Sequence, residues 1–136
     1  MVYFDTNVYV YAFCQNVDNP AQKELSQSLL KQSVSNHELI LSEMILYEFA
    51  FVSKKLEEET GVIQNNLEFL SRYAQPTHGN ILKRVLEIFE YTSLYRSAFD
   101  VFHLAYSESL GCKLITFDKG FKKLKAVAKT EIEILP

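Results

Sequence analysis

Short apolar segments alternate with amphipathic ones along this 136-residue chain, and that alternation narrows the folds open to it. Val2-Tyr-Phe4 is aromatic and β-branched, a strand closed by Asp5. Asp5-Thr-Asn7 supplies capping side chains for a helix from about Val8 to Gln15, although Val8-Tyr-Val-Tyr11 is itself strand-prone. Beyond a loop, Pro20 suits a first helical turn capped by Asn19, and Leu25, Leu29 and Leu30 form the apolar face of a helix to about Ser35. Glu38-Leu-Ile-Leu41 is a second strand. Ser42 caps the next helix, which holds Glu43 in its first turn and continues through Lys55, closed by Glu57-Glu-Glu59 and Thr60-Gly61. Val62 to Tyr73 is helical, with Ile63, Leu67 and Leu70 about a turn apart. Gln75-Pro-Thr-His-Gly79 is a break, with a short strand nearby that the pattern does not place. Asn80 to about Tyr95 is helical again, through Ile81, Val85, Leu86 and Phe89.

The stretch from Phe99 to Phe121 reads as a helix, a stop and a buried strand. Asp100 opens an amphipathic run through Leu110, and Gly111 ends it as a glycine just past a helix does. Lys113-Leu-Ile-Thr-Phe117 is a short apolar strand with Asp118 just beyond it, and Lys119 to Leu124 is a short helix or turn. Glu131-Ile-Glu-Ile-Leu135 alternates as a terminal strand. Strands separated by helices imply right-handed crossovers and a parallel sheet covered on both faces. The expected class is therefore α/β, a three-layer α/β/α sandwich around a mostly parallel central sheet, with residues 1–136 forming one domain. In such a sheet the crevice at the carboxyl ends of the strands is where ligands bind.

Composition removes several alternatives. A hydrophobic share of 48% and only four glycines fit a globular chain with a substantial core. A net charge of −3 means that no overall basic surface announces a nucleic-acid partner. Cys14 and Cys112 are far apart, with no paired-cysteine spacing, so free buried thiols in a reducing cytosol are expected rather than zinc. No basic leader precedes Val2 and no apolar run approaches the roughly 20 residues that span a bilayer, so the expectation is a cytoplasmic protein without a membrane partner.

Four acids stand where packing alone does not call for them. Glu48 has Met44, Ile45, Phe51 and Val52 at its helical neighbour positions, so it projects from or beside an apolar stripe. Carboxylates in such places are usually paired, protonated or metal-bound, the alternative being a glutamate that snorkels at the edge. Asp5 serves equally well as a helix cap, Asp118 as a turn residue, and Asp100 as a first-turn acid favoured by the helix dipole. Together they say more. Two follow strands and two lie on helices packed on the sheet, and carboxylates sharing one pocket need protons or cations. Mg²⁺ or Mn²⁺, hard ions with oxygen ligands, answer that need and support phosphodiester hydrolysis. No glycine loop of the nucleotide-binding kind competes for the phosphate role.

The order Phe4-Asp5-Thr6-Asn7, Tyr47-Glu48, Asp100 with Ala105 in its helix, then Thr116-Phe117-Asp118 followed by Phe121, resembles the PIN domain family. The likeness is to the small prokaryotic kind found as VapC-type toxins of toxin–antitoxin pairs, and it spans essentially the whole chain. It implies an Mg²⁺- or Mn²⁺-dependent endoribonuclease in which Asp5, Glu48, Asp100 and Asp118 match the acidic quartet. Asp5, Asp100 and Asp118 would be the nearest ligands, with Glu48 direct or through water. Thr6 and Thr116 match the flanking polar positions. The resemblance also implies a homodimer, an RNA substrate and a cognate antitoxin lying along a groove near the acids.

Lys119, Lys122 and Lys123, with Lys125 and Lys129, follow Asp118 and are candidates to hold an RNA backbone, or simply form a solvated face. Arg96 stands one turn before Asp100, placed to contact phosphate or to pair with that acid. His103 reads as a packed or hydrogen-bonded histidine, because the metal mechanism leaves it no obvious task. Tyr9, Tyr11, Tyr47 and Tyr95 are candidates for partial exposure, in partner contact or base stacking. The competing readings are a housekeeping RNA-processing nuclease on the same fold and a non-catalytic α/β binding or regulatory module. A receiver-like module gives Glu48 no role. A dehalogenase-type phosphatase would want an aspartate where Asn7 stands.

Overall fold

The computed structural model describes residues 1–91 and 98–136. In chain order, the elements are β1 (Val2–Phe4), α1 (Thr6–Phe13), α2 (Pro20–Ser35), β2 (Leu39–Ser42), α3 (Glu43–Lys55), α4 (Thr60–Ser71) and β3 (Ala74–Gln75). These are followed by α5 (Gly79–Tyr91), α6 (Ala98–Ser109), β4 (Lys113–Thr116), a 3₁₀ helix (Lys119–Leu124) and β5 (Ile132–Ile134). The continuation of α5 expected up to Tyr95 lies outside the described residues, as does Arg96.

The five strands form one sheet in the order β3-β2-β1-β4-β5, with every pairing parallel. Tyr3 of β1 is in register with Ile40 of β2 on one side and Leu114 of β4 on the other. The chain steps from β1 to β2 to β3 in one direction and then crosses back to β4. With right-handed crossovers this puts α1–α4 on one face and α5–α6 on the other. The packing agrees, since α1 meets α2 and α3, α3 meets α4, and α5 meets α6. The sheet is entirely parallel, and the three-layer expectation stands.

The period-two geometry of β1 serves both layers at once. The Tyr3 ring packs on Tyr106 of α6, while Phe4 meets Tyr9 of α1 edge to face, and all four are buried. The strand-prone Val8-Tyr-Val-Tyr11 is helical, because α1 is pressed between the sheet, α2 and α3. Its Val8, Tyr9 and Val10 gain more from burial there than β-propensity costs. Tyr9, expected to be partly exposed, is fully buried for the same reason. The short strand that the sequence could not place is Ala74–Gln75, at the sheet edge beside β2.

Three helices close on a left-handed residue with the same pair of bonds. After α6, Gly111 (φ 64°) donates its N–H to Glu108 O and Cys112 to Ser107 O. After α2, His37 (φ 55°) donates to Val34 O and Glu38 to Ser33 O; after α3, Glu57 (φ 64°) donates to Lys54 O and Glu58 to Ser53 O. Only the first of these uses glycine. A Cβ at Gly111 would meet nothing within 4 Å, so substitution there costs backbone energy alone. Gly111→Ala is expected to destabilise by about 1 kcal/mol, and Glu57→Gly to stabilise by roughly 0.5–1 kcal/mol net of glycine's extra unfolded-chain entropy. Urea unfolding midpoints check both.

Candidate active site

Strand order reverses between β1 and β4, and the carboxyl ends of these neighbours carry the first two acids. Asp5 follows β1, anchored by its own N–H to Ile115 O at 2.9 Å. Its carboxylate is almost fully buried. One oxygen accepts the Thr6 N–H at 2.7 Å and the other accepts the Thr116 hydroxyl at 2.8 Å. Thr116, the last residue of β4, also takes the Asp118 N–H at 2.9 Å and the Asn7 amide at 3.3 Å on its oxygen. One buried threonine therefore fixes both strand ends relative to each other. Asp118 is exposed and caps the 3₁₀ helix, accepting the Gly120 N–H at 2.7 Å.

The other two acids arrive from opposite faces of the sheet. Glu48 comes from the second turn of α3, and its carboxylate accepts the Thr6 hydroxyl at 3.0 Å. Asp100 comes from the first turn of α6. With Thr6, Asn7, Val10 and Val52, the four acids line one cleft of about 230 Å³. Glu48 lies beside the apolar stripe rather than within it, one of the placements that its sequence context left open. Phe51 is 69% exposed, as is the adjoining Tyr47 at 73%, so this face of α3 looks outward and Glu48 reaches the cleft from its rim.

A model of the PIN domain family matches residues 2–127. The chain belongs to the PIN domain family. A similar solved structure is that of VapBC-5, a member of the VapBC family of toxin–antitoxin systems from Mycobacterium tuberculosis. There the TM-score is 0.61 at 16% identity over 98% of each chain, a likeness of fold. No curated protein sequence gives a match.

In this PIN domain two of the acids, Asp5 and Asp100, hold their protons more tightly than an ordinary carboxyl. Burial pushes the Asp5 carboxyl up, with a smaller push from Glu48, against the nearby His103 ring and the bonds from Thr116 and Thr6. Asp100 is pushed up to about 7, first by burial and then by the negative charges of Asp5 and Asp118. The centre is thus short of positive charge, and its donors are carboxylates and hydroxyls, the set that Mg²⁺ and Mn²⁺ take. Among the described residues, no three acidic, histidine or cysteine side chains are already closed into a metal cage. An ion that keeps several waters and takes one or two carboxylates directly requires no such cage. The residues fit a hydrated divalent ion.

The lysines fall differently. Lys119, Lys122 and Lys123 are exposed on the 3₁₀ helix behind Asp118 and do not line the cleft. The two cysteines are free and buried, as expected. Among the described residues, no helix is long and apolar enough to cross a membrane. The residue that sequence reasoning undervalued is His103. It is completely buried, with one ring nitrogen against Glu48 and the other 2.7 Å from the Tyr3 hydroxyl. The available signal was its spacing, one turn after Asp100 and hence on the same helix face.

The raised Asp100 carboxyl has a stability signature. Between the ordinary carboxylate range and about pH 7 the folded state holds a proton that the unfolded chain has released, so stability falls as pH rises through that window. Asp100→Asn has no such proton. In EDTA the variant should melt a few degrees above the parent at pH 8, with the gap closing towards pH 4. A gap that is constant with pH would exclude this electrostatic origin.

Proposed function

We propose that this PIN domain is a divalent-metal-dependent endoribonuclease that hydrolyses RNA phosphodiester bonds, and that it is the toxin of a toxin–antitoxin pair. The observation that carries the reading is the set of four carboxylates, two just past strand ends and two on helices, gathered around one cleft at the reversal of strand order. Asp5, Asp100 and Asp118 would hold Mg²⁺ or Mn²⁺, with Glu48 direct or through water. Such an ion, when bound, supplies the charge that stabilises a phosphorane-like transition state and makes water a better nucleophile. Thr116 and Thr6 hold Asp5 in one orientation, so that little reorganisation is left for the reaction itself. A cleft carboxylate is the acceptor for the proton of the attacking water. Lys119, Lys122 and Lys123 lie outside the cleft, where the backbone phosphates of a bound strand would run.

Support for a protein partner comes from the surface next to the cleft. Met44, Tyr47, Phe51, Val52 and Phe99 line an apolar hollow of about 470 Å³ that shares Glu48 with the acid site. An antitoxin segment lying there would end against the carboxylates. Exposed apolar side chains on α5, Leu82, Leu86 and Tyr91, offer surface for a homodimer. Buried free thiols suit the reducing cytoplasm, where RNA substrate is found.

The test is incubation of the purified, antitoxin-free protein with a mixed RNA panel in Mg²⁺, Mn²⁺ or EDTA. Discrete, metal-dependent cuts are expected, falling at least about 100-fold in Asp5→Asn and Asp100→Asn. Parent and variants that behave alike would remove the nuclease reading.

A further inference from the structure

Resting on the metal-site reading above, we propose that His103 is a positioning residue, which orients the Glu48 carboxylate at the cleft through a buried hydrogen-bond circuit that begins and ends on α3. Ser42 caps α3, its hydroxyl oxygen accepting the Ile45 N–H at 3.4 Å. Ser42 Oγ lies 2.9 Å from the Tyr3 hydroxyl, Tyr3 lies 2.7 Å from His103 Nδ1, and His103 Nε2 meets Glu48 Oε1. Glu48 sits six residues beyond the cap on the same helix. The circuit therefore ties the start of α3, the central strand β1 and helix α6 to one carboxylate.

Its direction follows from the donors available. An ionised Glu48 carboxylate can only accept, so a neutral ring turns its N–H to it and the hydroxyl protons run from Ser42 to Tyr3 and from Tyr3 to the ring. Tyr3 then donates to Nδ1, and the imidazole proton must sit on Nε2, facing Glu48. The opposite tautomer would point a lone pair at a carboxylate. Burial holds the Tyr3 phenol well above its ordinary value, so it keeps its proton. Tyr3, Ser42 and His103 are all fully buried, in a place where three aliphatic side chains would pack without any polar obligation.

Glu48 has what this circuit supplies a use for. Its side chain is 25% exposed, and a glutamate at a rim has several rotamers to lose. The His103 and Thr6 bonds both fall on Oε1, which leaves Oε2 for a ligand. The same Nε2 lies 4.0 Å from Asp5 Oδ1, so one fixed N–H stands beside two of the four acids. Asp100, one turn earlier on α6, shares the helix that presents it.

Three measurements decide the matter. In ¹⁵N spectra of the metal-free protein, His103 is expected as the Nε2–H tautomer, whereas an Nδ1–H ring would overturn the circuit whatever the protein's activity. Without RNA, Mn²⁺ affinity followed by electron paramagnetic resonance should weaken about 10–100-fold in His103→Leu. It should weaken less in Tyr3→Phe, and recover in part in His103→Gln, whose amide can still donate to Glu48. In a Glu48→Gln background, His103→Leu should add little, since the two act as one unit. An unaltered affinity in folded His103 variants, or a full additional loss in the Glu48→Gln background, would overturn the positioning role. Should His103→Leu fail to fold, Tyr3→Phe and His103→Gln carry the same comparison. A parent protein that binds no Mn²⁺ despite the expected tautomer would defeat the metal-site reading, and the positioning role with it.

Discussion

Like charges held close at the edge of a sheet are the constraint around which this PIN domain is arranged. Carboxylates that converge in a partly buried cleft oppose one another's ionisation, and the rise of Asp100 to about 7 comes first from burial and then from the charges of Asp5 and Asp118. The arrangement persists because three of the acids are held by hydrogen bonds, several of them from shared threonines. Asp5 is held by Thr6, Thr116 and the backbone of β4; Asp118 by Gly120 and Thr116; Glu48 by Thr6 and His103. Asp5 and Glu48, which repel, are also joined through the one threonine between them. Aromatic packing on both faces of β1, Tyr3 on Tyr106 and Phe4 on Tyr9, holds the strand end that Asp5 follows.

Strand order explains why the four acids meet at all. A parallel sheet that runs out from β1 in one direction and returns to β4 in the other leaves a gap above their carboxyl ends, with helices converging from both faces. Glu48 on α3 and Asp100 on α6 lie 52 positions apart and on opposite layers, yet both look into that gap. His103 is where the layers touch, since a side chain of α6 reaches one of α3 across the top of the sheet. Such a contact makes the geometry of the cleft a property of both layers together. Loosening α6 would move Glu48 as well as Asp100.

The local chemistry of the chain was readable in order. Asp5 and Asp118 announce themselves because each follows a short apolar run whose strand character is plain, and Thr116 stands at the same edge. Ser42 and Asn19 cap the helices they precede in the sequence, and Gly111 ends α6 in the left-handed conformation that its position implies. Periodicity was enough to give the helices and the parallel sheet. At Val8-Tyr-Val-Tyr11 the expected helix forms against the segment's strand preference, and periodicity failed only at Ala74–Gln75, a strand too short to carry a pattern.

The sequence by itself determined which residue types stand at the ends of strands and on the faces of helices, because those follow from periods of two and 3.6 within a few neighbours. Only the tertiary structure decided what they touch. Tyr3 and His103 are 100 positions apart, Asp5 and Thr116 111 apart, and no local pattern records such pairings. Whether Glu48 lay within the core or at the rim of the cleft was likewise open, since apolar neighbours on a helix mark burial only when something packs against them. At Phe51 and Tyr47 the described chain leaves that face open to solvent. Burial and hydrogen-bond partnership are properties of the assembled layers, and they bring four separately explicable acids and one buried, hydrogen-bonded histidine together at one cleft.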